Sequence, residues 1–173
     1  MNNKEIYKNA PKYCDYFFDL IESDNLLAEF EKSKELTLDI LKLVPPDLEN
    51  YSYQTDKWTI KEVLRHIIDM ERIFAYRAFR FSRLDDTDLS GVEENDYINN
   101  AKQNEIKLSE LRNEYLAVRN STVWVYKNLS TEMLNFKGTA NAQTYTAETL
   151  GFAMIGHNVH HVKFIEKTYL NKK

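Results

Sequence analysis

Four long stretches of the sequence place apolar side chains at intervals of three and four residues, the spacing that lines one side of an α-helix. The first runs from Asn25 to Leu43, with Leu27, Phe30, Leu38 and Leu41 along its face, and stops at Pro45 and Pro46. The second opens at Thr59, where TIKE has the form of a capping box: the Thr59 hydroxyl accepts an orphan amide while Glu62 reaches back. It continues to Leu84, the third spans Ile106 to Leu129, and the fourth runs from Thr146 to Leu170. A shorter helix is expected over Tyr13 to Ile21. No helix of this kind can bury its stripe alone, so the four imply an all-α four-helix bundle, one domain over residues 1–173. The links, about 15 to 22 residues long, exceed the usual connection between antiparallel neighbours. At least one is therefore expected to cross an end of the bundle, and a site can lie beneath such loops.

Composition supports helices over strands. The 173 residues include only 4 glycines and 3 prolines, against roughly 12 and 9 from average usage, which leaves few positions for the tight turns of an all-β design. With 43% apolar and 29% charged residues the chain has the balance of a folded protein. Its net charge of -4 and lack of a basic stripe speak against nucleic acid or an anionic membrane as a partner. No run approaches the roughly 20 apolar residues of a membrane span, and the N-terminal MNNKEIYKNAPKYCDYFF has no apolar signal-peptide core. The lone cysteine, Cys14, excludes an internal disulfide. A cytoplasmic location is the expectation.

All 4 histidines fall on the second and fourth helices: His66, then His157, His160 and His161 within GHNVHH. At 100° per residue, His157 and His161 project within about 40° of each other, one turn apart, on the side carrying Leu150, Met154 and Phe164. Both imidazoles can reach one ion. His160 points about 60° from His157 and is the weaker ligand candidate. His66 lies at the margin of an arc formed by Val63, Ile67, Met70 and Phe74, from which it can look inward. Three neutral imidazoles from two packed helices suit a divalent transition metal and leave a coordination position open for chemistry. HNVHH is not the metalloprotease HExxH, because Asn158 cannot serve as a general base.

Glu62 and Asp69 flank His66 within about one turn and could orient a histidine or take a proton. Each also has a structural reading, Glu62 as the cap partner and Asp69 as a solvated or salt-bridged edge residue. In the acidic link over residues 85–96, Asp86, Asp88, Ser90 and Gly91 occupy calcium-loop positions, but Tyr97 stands where a bidentate glutamate is needed. A solvated acidic loop is the better reading. Arg72, Arg77, Arg80 and Arg83 make a basic helix end that suits the helix dipole and could also receive an anion. Trp58, Trp124, Phe74 and Phe164 read as core or pocket wall. Gly151 and Gly156 each cost a helix about 1 kcal/mol relative to alanine, which close helix approach beside the histidines would explain.

The segments KWTIKEVLRHIIDMERIFAYRAFR and IGHNVHHVKFI resemble the two signature regions of the DinB-like superfamily of metal-binding four-helix bundles. A weaker likeness extends from about residue 30 to 170, through NDYINNA and LRNEYLAVRNSTVWVYKNL. The resemblance implies an up-down-down-up bundle with a long crossover at the acidic loop, and a divalent metal, zinc or nickel, on His66, His157 and His161. It also implies that His160 is not ordinarily a ligand and that a homodimer is common. Relatives include thiol-S-transferases that use low-molecular-weight thiols, and metal-dependent hydrolases. The functional expectation is a metal-dependent enzyme that activates a thiol or water toward a small molecule, as in detoxification and stress response. The alternative is a non-catalytic metal-binding or ligand-sensing bundle.

Overall fold

The computed structural model describes residues 5–170, and the four expected helices are its frame. They are α2 (Leu26–Lys42), α3 (Ile60–Ser82), α5 (Leu108–Tyr126) and α7 (Ala147–Ile165), the last extended by a π-helical turn over Glu166–Leu170. Three short helices complete the set: α1 (Cys14–Phe18), α4 (Glu94–Asn100) and α6 (Thr131–Asn135). The helix starts follow side-chain chemistry. Asn25 Oδ1 accepts the Ala28 amide at α2, and a full capping box of Thr59 and Glu62 opens α3. At α7, Thr146 and Thr149 form the reciprocal pair.

Contacts between helices give their directions. Along α3 and α5, Lys61 reaches the Ile106 carbonyl, Arg65 meets Glu114 and Glu71 meets Arg119, so the two run parallel. Along α2 and α7, Leu26 lies against Gly151 while Ser33 and Thr37 meet Asn158, again parallel. Tyr169 donates to the Trp58 carbonyl and His66 meets His157, which makes α3 and α7 antiparallel. The order is up-down-down-up. Parallel α3 and α5 require a crossover of the bundle, supplied by residues 83–107 with α4 in it. Among the described residues no helix is long and apolar enough to cross a membrane.

The structure adds one element to the expected frame and corrects two expected side-chain placements. The link before α7 holds a hairpin, β1 (Lys137–Ala140) paired with β2 (Gln143–Thr146), although glycine is scarce. Its two-residue turn puts Asn141 and Ala142 at φ 52° and 56°, the mirror-image turn that usually calls for glycine. Leu89 adds a parallel bridge to Ala140, so the acidic link is tied to the hairpin. On α2 the buried line is Phe30, Ser33, Thr37, Ile40 and Leu41, whereas Leu27 is exposed. Ser33 and Thr37 displace leucines there because they serve buried hydrogen bonds. Trp124 is not core but 66% exposed, with the Lys127 ammonium 4.1 Å from its ring centre.

A buried ion pair crosses the middle of the bundle. Arg119, 1% exposed, donates from Nε and Nη2 to the two Glu71 oxygens at 2.8 Å each. Its Nη1 also donates to the Phe30 carbonyl and Ser33 Oγ, and Asn158 links the group to Thr37. Every donor of the guanidinium thus faces an acceptor, the condition under which a buried charge is tolerated.

Candidate metal centre

His66 projects from the second turn of α3, and His157 and His161 project one turn apart from α7, which packs antiparallel against it. Their side chains meet. His66 Nε2 lies 2.9 Å from His157 Nε2, which lies 3.1 Å from His161 Nε2, and one nitrogen of each residue falls within 4.8 Å of the others. Three nitrogens held by one ion at about 2.0–2.1 Å each would stand about 3.3 Å apart, and the two separations at His157 are within a few tenths of an ångström of that. The donor set is nitrogen only, which suits a borderline transition ion rather than calcium or magnesium.

Burial prepares these groups for that role. His66 is lowered to about 4 by desolvation, with the charge of His160 adding to the effect. His161 is lowered to about 3 by desolvation and then by His66 and His160, and His157 is pushed well below the usual histidine value by burial first and its neighbours second. All three are therefore neutral at pH 7 and offer lone pairs rather than protons.

Aromatic side chains enclose the cluster. Trp58 lies 4.8 Å from the His66 ring centre, and Phe17 and Phe74 meet His157 edge-on at 5.6 and 6.1 Å. Phe17 comes from α1, which lies against α7 because position 156 is glycine. A Cβ there would stand 2.2 Å from the Phe17 carbonyl oxygen. The close approach expected at Gly156 is thus made by α1. His160 faces α1 as well, its Nδ1 2.9 Å from the Tyr16 hydroxyl, apart from the three-nitrogen cluster.

Two cavities meet at the histidines. One, about 370 Å³, is lined by His66, His157, Phe74, Arg77, Tyr13 and Tyr145 among others. The other, about 360 Å³, is bounded by Tyr53, Lys57, Phe164 and Tyr169. Trp58, His160 and His161 line both. The acidic link and the hairpin supply part of the walls, through Val92, Glu94, Asn95 and Asn141.

The two carboxylates considered from the sequence are held by other groups. Glu62 Oε2 accepts the Thr59 amide at 2.7 Å, and its Oε1 accepts from Gln103 and Asn104. Asp69 lies 3.2 Å from Arg72 and 3.5 Å from Arg65, both of which also pair with Glu114. Burial raises the Asp69 carboxyl against the lowering effect of those two arginines.

Sequence reasoning missed the contributions of Tyr13, Phe17 and Tyr145, which come from distant segments and carry no helical signal toward the site. It also missed the Glu71–Arg119 pair. Its trace was present, since Arg119 stands in the stripe Leu111, Tyr115, Arg119, Thr122 and Tyr126, all buried.

The sequence profile of the DinB superfamily matches residues 29–165. The chain belongs to the DinB superfamily. Among solved structures it is similar to YfiT from Bacillus subtilis, described as "a probable metal-dependent hydrolase with an unusual four-helix bundle topology", with a TM-score of 0.74 and 14% identity over 84% of each chain. It is also similar to the mycothiol-dependent maleylpyruvate isomerase, with a TM-score of 0.65 and 17% identity. That match covers 84% of this chain and 61% of the isomerase. At these identities the likeness concerns the fold. No curated protein matches the sequence.

Proposed function

We propose that His66, His157 and His161 hold a divalent transition metal ion, and that the protein is a metal-dependent enzyme joining a low-molecular-weight thiol to a small electrophile. The observation that carries this reading is the pair of similar cavities meeting at Trp58, His160 and His161. Hydrolysis needs room for one organic reactant and a water. Two chambers opening on one nitrogen cluster suit two organic reactants. A divalent ion with three protein ligands and an open position makes a thiol acidic at neutral pH and polarises an electrophile. In the overall reaction a carbon–sulfur bond forms, the leaving group departs with the bonding pair, and the thiol proton passes to solvent.

The chain's own residues supply the rest. Burial keeps the three imidazoles neutral. Trp58, Phe17 and Phe74 exclude water around them. His160, which borders both chambers and is steadied by Tyr16, is the group placed to relay the thiol proton outward. Glu62 and Asp69, engaged in the helix cap and in the ion pairs with Arg65 and Arg72, serve as positioning groups for α3 in this scheme.

The test is elemental mass spectrometry of protein purified without an affinity tag, beside the His157→Ala variant. Near-stoichiometric metal in the parent and little in the folded variant is expected. Metal retained by His157→Ala would overturn the ligand assignment. Cobalt-loaded protein titrated with bacillithiol or glutathione should change its near-ultraviolet absorbance, and no response to either thiol would overturn the thiol reading in favour of hydrolysis or a structural ion.

A further inference from the structure

Among the described residues the molecule buries three arginines, and Arg65 is paired with Glu114 and Asp69. Arg119 has its carboxylate. Arg77 is 5% exposed and lines the larger cavity, yet among the described residues no carboxylate pairs with it. Its Nη2 donates to the Ser90 carbonyl at 2.8 Å, a neutral acceptor on the acidic link. Glu94 also borders this cavity, but it is exposed and makes no ion pair with Arg77. Desolvation lowers the affinity of the guanidinium for its proton, against opposing electrostatic effects of Tyr145, Tyr13 and Tyr97 and of no carboxylate.

A buried cation without a counter-charge is unfavourable, and a fold retains one where a ligand supplies the missing charge. Helix geometry gives the site its direction. His66, Met70, Phe74 and Arg77 follow one another along the same side of α3, and all four line this cavity. Arg77 stands eleven positions after His66, about 16 Å along the axis. The cavity that Arg77 and the histidines line, about 370 Å³, has room for a small molecule of several carbon atoms. At the Arg77 end, the hydroxyls of Tyr13 and Tyr145 are hydrogen-bonded to each other, which leaves the pair one O–H to donate to an anion.

We propose that Arg77 is a specificity residue: its guanidinium, with the remaining O–H of the Tyr13 and Tyr145 pair, binds the carboxylate of a reactant whose other end lies at the three histidines. A planar fork of donors matches a carboxylate, which accepts two parallel hydrogen bonds. Arg77 thereby sets which small molecules enter the larger cavity. The inference rests on the proposed function only for what happens at the histidine end, because the anion pocket is made by the chain alone.

The experiment compares matched acids and alcohols by calorimetry. Hexanoate and 1-hexanol are titrated into metal-free protein, and 6-mercaptohexanoate and 6-mercapto-1-hexanol into zinc-loaded protein. The parent should bind each acid at least about tenfold more tightly than its alcohol. Arg77→Met should reduce that preference to within about twofold while leaving the alcohols unchanged, and Arg77→Lys should keep part of it. Arg77→Met should also melt at the same temperature as the parent or higher, because it removes an unpaired buried charge. Arg77→Lys carries the comparison if the methionine variant does not fold. Equal binding of acid and alcohol by the parent, or an acid preference that survives both variants, overturns the assignment. A preference present in metal-free protein but no response to zinc leaves Arg77 supported and overturns the metal reading instead.

Discussion

Replacing Glu71 with alanine isolates the energetics of the buried pair. Arg119 would keep the Phe30 carbonyl, Ser33 and Asn158 as neutral acceptors but lose both 2.8 Å charge-assisted bonds, with 1% of its surface exposed to water. Its ring contacts, at 5.2 Å to Phe30 and 5.4 Å to Tyr115, do not replace a counter-ion. Removing one partner of such a pair costs about 3–5 kcal/mol, a large part of the about 5–15 kcal/mol by which a domain is stable. With a urea slope of about 2–3 kcal/mol per molar, the unfolding midpoint should fall by about 1–2.5 M. Glu71→Leu combined with Arg119→Met removes both charges, and this double variant should be more stable than either Glu71→Ala or Arg119→Met alone. A loss below about 1 kcal/mol for Glu71→Ala, or a double variant whose loss equals the sum of the two singles, would refute this account.

The remaining expectations concern pH and packing. In metal-free protein, His66 and His161 have folded-state values of about 4 and 3 against 6.5 unfolded. The unfolded chain therefore binds more protons below pH 6.5, and stability falls as pH drops through that window. Between pH 7 and pH 5 the loss should be about 2 kcal/mol for each of the two. Urea midpoints at the two pH values measure it, and a flat response would exclude buried neutral imidazoles. Gly156→Ala sets a methyl 2.2 Å from the Phe17 carbonyl oxygen and should destabilise by about 1–3 kcal/mol. Near-ultraviolet circular dichroism should register the displacement of α1 and its aromatic side chains, and an unchanged spectrum with unchanged stability would mean that α1 does not pack as described.

Much of the frame was legible because it is local. Helical spacing, the Thr59–Glu62 box and the Pro45–Pro46 stop depend on neighbours in the chain, and α2, α3, α5 and α7 lie where those signals put them. The convergence of His157 and His161 was legible for the same reason, since two residues one turn apart share a face whatever the helix packs against. His66 required more, namely that α3 and α7 lie side by side. Leu27 and Trp124 show the limit of periodicity. Each occupies a plausible apolar position, yet which arc of a helix is covered depends on the neighbouring helices.

The sequence by itself determined the helices, their caps and the pairing of His157 with His161, because hydrogen bonding and side-chain spacing within one segment suffice for these. The path of the crossover, the hairpin turned at Asn141 and Ala142, the cover of α1 over Gly156 and the two cavities belong to the tertiary structure alone. So does the contrast between Arg119 and Arg77. Both are arginines on helices, and only the packing of distant segments gives one a buried carboxylate and leaves the other facing a cavity. Burial and charge pairing are sums over groups brought together from the whole chain, and no local pattern carries them.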